Sequence, residues 1–323
     1  MSATRICIVK TSSMGDVIHA LPVVSDIKRA MPDAQIDWLV EEAFADLPRL
    51  HRGVQRTIPL ALRRWRKSLL ADQTRSQIQR FRTELNAGGS YDAILDLQGL
   101  YKSALVACMA QGPRIGFSFR CAREPLASVF YSRRINVDMK AHAIERLRQL
   151  SAQAFNYPME GLPRFEILAP IGDCPVAILG PYLVLLHATS RVEKLWPTAH
   201  WRELIVQFEQ RGLSCVLPWG NDAERGQAAA LADGLASALV PPRLTLKQCA
   251  TLLGGAAAVV GVDTGLTHLA AALQRPTVSI FGVTEAWRYG PYWTPLAVNL
   301  GGKGQWPSTA QVVQSCLQLL GQA

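Results

Sequence analysis

Short apolar runs recur along the chain, each followed by a polar turn and then a longer stretch of helical spacing. In the first half these runs are Ile6–Val9, Ile36–Val40 and Ala93–Leu97. They read as strands with helices between them, and that alternation predicts a parallel sheet covered by helices. A passage containing Pro and Gly, from Pro163 to Pro181, interrupts the alternation. It restarts with Tyr182–His187, Leu213–Leu217, Ala257–Val262 and Thr277–Phe281. Two α/β units of roughly 150 residues each predict two doubly wound domains, residues 1–165 and 175–302, facing one another across a central cleft. Ligands of such sheets bind beyond the carboxyl ends of the strands. Thr309–Leu320 reads as a further helix, and the C-terminal stretch 309–323 is expected to pack back on the first domain.

Composition agrees with a two-domain protein: 323 residues with 49% hydrophobic and 18% charged content can bury a large core. No apolar stretch approaches the ~20 residues of a membrane-spanning helix, and the N-terminal run is far shorter than a signal-peptide core, so the expected location is the cytoplasm. The seven cysteines are scattered and form no C-x-x-C pair, which reads as reduced core residues with neither disulfide nor zinc. A net charge of +9 calls for an anionic partner. Nucleic acid, a lipid headgroup surface and an acidic substrate all fit that charge.

Four stretches carry candidate chemistry. In "KTSSMGDVIHALP", residues 10–22, a carboxylate, Asp16, stands in the first strand-to-helix turn, where many nucleotide-binding folds place glycines. It either points towards the cleft or caps the helix, because a helix N-terminus stabilises a carboxylate in both cases. Pro22 falls inside that helix and is a candidate kink. In "VVGVDTGLTHLAAAL", residues 259–273, a buried strand ends at Asp263 and a helix begins near Thr264 or Gly265. The N–H groups of its first turn, with the Thr264 and Thr267 hydroxyls, suit a phosphate, and His268 lies one turn in. Asp263 and Thr264 as plain helix caps is the other reading. In "LLHATSRVEKLWP", residues 185–197, Thr189, Ser190 and Lys194 make an anion-friendly loop after the first strand of the second series. The fourth is the basic run "RRWRK", residues 63–67, with Arg123 in "CAREPLAS". It is either a solvated face or a binding surface, and the interleaved Trp65 also suits nucleic acid. Neither G-x-G-x-x-G nor G-x-x-x-x-G-K-[ST] is present, which lowers the dehydrogenase and P-loop readings.

In order and register, "VKTSSMGDVIHALP", "RRWRK", "AREPLAS", "LHATS", "PWG" and "VDTGLTHLAAAL" resemble the ADP-heptose:lipopolysaccharide heptosyltransferases, specifically the heptosyltransferase I group. The likeness runs to about residue 282 and is weaker over 150–180 and after 283. It implies a type B glycosyltransferase fold of two Rossmann-like domains, with the donor mainly on the second and the acceptor on the first. Residue by residue, it implies Asp16 as general base, Thr189, Ser190 and Lys194 as a donor-phosphate loop, and Asp263, Thr264, Gly265 and His268 as contacts to heptose and pyrophosphate. Glu224 falls where the family binds the adenosine ribose. The family commonly has a second threonine where this chain has Ser190, a change that keeps the hydroxyl. Arg63, Arg66, Lys67 and Arg123 resemble the positions facing the acidic sugar acceptor.

The implied reaction is inverting transfer of L-glycero-D-manno-heptose from ADP-heptose to the Kdo residue of Kdo-lipid A. The implied enzyme is a monomer at the cytoplasmic face of the inner membrane that binds no nucleic acid. No cofactor is expected, and no metal, since the chain has no Asp-x-Asp pair. Two other classes remain: a sibling such as heptosyltransferase II, and a non-catalytic nucleotide- or nucleic-acid-binding protein.

Overall fold

A computed structural model of the chain describes residues 3–68, 71–172 and 174–321. Met1, Ser2, Leu69, Leu70, Asp173, Gln322 and Ala323 lie outside it, and with them the ends of the expected stretches 1–165 and 309–323. The chain divides into two compact units, the first ending at Glu166 and the second starting at Ile167.

Each unit is built on one six-stranded parallel sheet, the α/β doubly wound architecture expected from the alternation. The first sheet comprises β1 (Arg5–Val9), β2 (Gln35–Glu41), β3 (Val54–Leu60), β4 (Ala93–Asp96), β5 (Arg114–Phe117) and β6 (Arg133–Ile135), in the order β3-β2-β1-β4-β5-β6. The second comprises β7 (Tyr182–Leu186), β8 (Ser214–Val216), β9 (Ala238–Leu239), β10 (Ala258–Val262), β11 (Thr277–Phe281) and β12 (Ala297–Gly301), in the order β12-β11-β10-β7-β8-β9. In each sheet the strand order reverses where the unit's first strand meets its fourth. Val9 of β1 lies opposite Asp96 of β4, and Leu186 of β7 opposite Gly261 of β10. Crevices at such reversals, beyond the carboxyl ends of the strands, are where these sheets bind ligands.

The central strands are continuous apolar runs because helices cover both faces. Ile6–Val9 and Leu183–Leu185 are fully buried, each within its own unit's core. The first helix, Met14–Ala30, continues through Pro22. Gly261 in β10 is required by a close approach: a Cβ there would collide with Thr267 Oγ1 and Leu186. That approach lets the Thr267 hydroxyl donate to Val262 O at 2.7 Å, tying the next helix to its strand.

Two expectations are corrected. The C-terminal helix, Thr309–Leu319, belongs to the second unit and not to the first domain. Its apolar face of Val312, Val313 and Cys316 completes the core around Trp201, Leu204 and Phe208 of the helix Thr198–Glu209. Thr309 Oγ1 also meets His200 Nδ1 at 2.9 Å. The cysteines are free thiols, but only Cys7, Cys121, Cys215 and Cys316 are core residues; Cys108 is exposed and Cys174 and Cys249 half-buried. Among the described residues no helix is long and apolar enough to cross a membrane.

Candidate active site

In the second unit, the loops that leave β7 and β10 at the strand-order reversal meet on one carboxylate. Asp263 is held at the end of β10 by its backbone N–H, which donates to Ile280 O of β11 at 3.1 Å. Lys194 Nζ, from the turn after β7, donates to Asp263 Oδ2 at 2.5 Å, and Thr284 Oγ1 donates to the same oxygen at 2.6 Å. His268 Nε2, one helical turn further on, lies 3.2 Å from Oδ1. Burial would raise the Asp263 pKa, but the hydrogen bond and charge of His268, with the bonds from Lys194 and Thr284, hold it well below the usual carboxylate range. Asp263 is therefore a fixed anion at the head of the helix Gly265–Ala272, joining three loops. That is more than capping. Thr264 occupies the N-cap position, yet its side chain makes no capping hydrogen bond.

Thr189 is half-buried and Ser190 exposed in the loop before Lys194. Among the described residues no hydrogen bond joins either hydroxyl to the Asp263 cluster. Glu224 lies in the helix Asp222–Ala232 beyond β8. Its carboxylate accepts from Gly220 N at 2.7 Å and Asn221 Nδ2 at 2.8 Å, so both oxygens already fix their own turn. His187, at the end of β7, brings Nε2 to 3.4 Å from Glu224 O, and burial lowers the pKa of its imidazole.

In the first unit the Asp16 turn sits beyond β1, again at the strand-order reversal. Ser13, the N-cap residue, donates its N–H to Asp16 Oδ2 at 3.0 Å and its hydroxyl to the same oxygen at 2.7 Å. Both bonds fall on one oxygen. Oδ1 accepts no hydrogen bond among the described residues. Asp16 thus ties down the helix's first turn and still offers a second, basic oxygen. Burial opposes its ionisation, but the charge of Lys10 and the Ser13 bonds lower its pKa below the ordinary value. Lys10 is buried, its ammonium donating to Leu97 O at 3.0 Å. Burial lowers the Lys10 pKa, against which the carboxylates of Asp16 and Asp96 act. Lys102 Nζ reaches Ser12 Oγ at 3.2 Å, joining the helix Tyr101–Ala107 to this turn.

The basic run is divided by its packing. Arg63, Arg66 and Lys67 are exposed, as is Arg123, while Arg64 pairs with Glu42 at 3.1 Å. Trp65 is a core residue, edge-on to Phe81 and donating Nε1–H to Gln77 Oε1 at 3.0 Å. It offers no face for a nucleic-acid base, which removes the aromatic half of that alternative. Glu41 Oε1 accepts from Arg63 N at 3.1 Å, holding the start of the run against the end of β2.

The sequence reading missed two residues of these sites. Thr284 lies outside the VDTGLTHLAAAL stretch, which ends at Leu273, and the signal for it is its position three residues beyond the end of β11, the strand beside β10. Lys10 closes the first apolar run, and a cation placed where a buried strand ends is itself unusual.

Comparison with known proteins identifies the family. The profile of glycosyltransferase family 9 (heptosyltransferase) matches residues 78–319. The lipopolysaccharide heptosyltransferase 1 of Pseudomonas aeruginosa is 50% identical over 295 residues, covering 89% of this chain and 81% of that protein. That of Salmonella typhimurium is 45% identical over 290 residues, covering 89% and 91%. The structure of the Escherichia coli heptosyltransferase WaaC with ADP superimposes with a TM-score of 0.89 at 39% identity, over 98% of this chain and all of that one. The same enzyme with ADP-2-deoxy-2-fluoro heptose gives 0.83 at 40% identity, over 98% of each chain. With two such sites on two doubly wound units and these relatives, the chain belongs to glycosyltransferase family 9, the heptosyltransferases.

Proposed function

We propose that this glycosyltransferase moves heptose from ADP-heptose to the Kdo residue of Kdo-lipid A, with inversion, as the first heptose addition to the lipopolysaccharide core. The observation that carries this reading is the joining of Lys194, Asp263, His268 and Thr284 at the head of the helix Gly265–Ala272, where a pyrophosphate and its sugar find a cation, hydroxyls and helix N–H groups. Asp16 is the general base: its unbonded oxygen takes the proton from the acceptor hydroxyl as that oxygen attacks the anomeric carbon. The bond from that carbon to the phosphate oxygen breaks, and ADP leaves with the developing charge. Lys194 and the N–H groups near Gly265 offset that charge, with no metal required. Thr189 and Ser190 donate to the phosphates, and Glu224 holds the ribose by exchanging one of its turn contacts for a sugar hydroxyl. Arg63, Arg66, Lys67 and Arg123 meet the acidic acceptor, and on this reading the enzyme works as a monomer at the inner face of the membrane. Identities of 44–50% to the heptosyltransferase 1 enzymes of Salmonella typhimurium, Pseudomonas aeruginosa and Escherichia coli, and 27% to that of Campylobacter coli, against 22% to the lipooligosaccharide heptosyltransferase 2 of Haemophilus ducreyi, favour the first transferase over its sibling.

Incubation with ADP-heptose and Kdo-lipid A, followed by mass spectrometry, tests the reading. One added heptose supports it. No product, or transfer only to an acceptor that already carries a heptose, overturns it.

A further inference from the structure

Two short helices of the first unit turn large apolar side chains to solvent. Tyr101 and Leu105 are four residues apart in the helix Tyr101–Ala107, so they share one face. Leu126 and Val129 are three apart in the 3-10 helix Pro125–Phe130, where that spacing eclipses side chains. The two elements lie side by side, packed through Ala104 and Ala127 over Tyr131, with the Tyr101 ring edge-on to Phe130 at 5.4 Å. The small residues face inward and the large ones outward: Tyr101 is 48% exposed, Leu105 45%, Leu126 64% and Val129 62%. A contiguous apolar face of this kind on a well-packed unit marks an interaction surface.

Charge identifies the partner. Residues 101–140 hold seven Lys and Arg against two Asp and Glu, a net +5 of the chain's +9. Arg120 and Arg123 are exposed in the loop leading into the 3-10 helix. Its acidic residue, Glu124, is turned onto the backbone, accepting from Tyr101 N at 2.5 Å. Apolar side chains at the centre with cations at the margin match the boundary between acyl chains and anionic headgroups. We propose that Tyr101, Leu105, Leu126 and Val129, with Arg120 and Arg123 beside them, seat the first unit on an anionic lipid bilayer. Lys102, in the same helix, reaches the Ser12 hydroxyl in the turn that bears Asp16, so the docking face and the candidate base are mechanically continuous.

Co-sedimentation of the full chain with vesicles, without either substrate, tests the proposal. The wild-type protein is expected to partition onto phosphatidylethanolamine–phosphatidylglycerol vesicles, to be released by salt, and to bind phosphatidylcholine vesicles weakly. Leu126→Asp with Val129→Asp should lower partitioning at least ~10-fold. The far-ultraviolet circular dichroism and melting temperature should not change, because both side chains are already in water. Leu105→Ser should weaken partitioning less, and Leu162→Asp, at an exposed site outside this face, not at all. Wild-type protein that ignores anionic vesicles overturns the proposal, as does a double variant that binds them as well as wild type. A wild-type dimer that the double variant dissolves also overturns it, by making this a face between two copies. ADP release from ADP-heptose reads transfer separately, so vesicle binding and the proposed reaction fail independently.

Discussion

Lys194 and Asp263 form a 2.5 Å ion pair across the strand-order reversal of the second sheet, so the cation expected to meet the donor's phosphates is shared with a carboxylate from the neighbouring loop. The pair is largely buried, which strengthens it and fixes the ammonium in place. Lys194→Ala should lower kcat at least ~10²-fold, as for loss of one preorganised donor to a developing oxyanion. The contacts on Asp263, that of His268 first and those of Lys194 and Thr284 after it, also predict a pH effect. The folded pKa of Asp263 lies below its unfolded value, so its contribution to stability is full above about pH 4 and is lost as pH falls towards the folded value. Thermal melts of Asp263→Asn should therefore decline less between neutral and acid pH than those of wild type.

Thr284 should matter although no motif contains it. Its hydroxyl donates at 2.6 Å to the oxygen that Lys194 also holds, and a hydrogen bond to a charged group is worth about 1.5–3 kcal/mol. Thr284→Val should lower kcat/KM for the donor about 10- to 100-fold, and Thr284→Ser should restore most of it. Valine and serine variants that behave alike would show that the hydroxyl is not what positions Asp263.

These two residues also mark how far the sequence is legible. Ile6–Val9, Tyr182–His187 and Ala257–Val262 stand out because central strands buried on both faces must be continuously apolar. β3 and β6 do not, because these edge strands carry Gln55, Arg56, Arg133 and Arg134, and β9, Ala238–Leu239, is too short to show a pattern. Asp16 and Lys194 were readable from their place after such runs. Thr284 was not, because its role comes from β11 lying beside β10, a neighbour relation that is set by topology. The C-terminal helix was recognised from its own pattern, but Val312 and Cys316 carry no mark of which sheet they cover.

Neutralising Arg66 and Lys67 should raise acceptor KM and weaken its salt dependence, because fewer screened charge contacts remain, while donor KM stays near wild type. Steady-state kinetics at two salt concentrations read this. Equal responses of both substrates, or of neither, would return the run to a solvated face.

Activity after exhaustive EDTA treatment and desalting should stay within about threefold of the untreated enzyme, a barrier change of about 0.65 kcal/mol. A full charge from Lys194 together with the ~0.5 of an elementary charge carried by the N–H groups at the helix start is what the proposal puts in place of a bound cation. Loss of turnover on EDTA treatment, restored by magnesium or manganese, would contradict the metal-free step.

Asp16, as proposed, removes a proton from the acceptor and is more than a tie for the first turn of its helix. The kcat of Asp16→Asn on ADP-heptose and Kdo-lipid A separates the two roles. Asparagine keeps the oxygen that Ser13 bonds but lacks the charge and the basic lone pairs of the carboxylate, so turnover should fall at least ~10²-fold with the fold intact. Turnover within about threefold of wild type, accompanied by a stability loss of about 1 kcal/mol, would instead assign Asp16 to its helix alone.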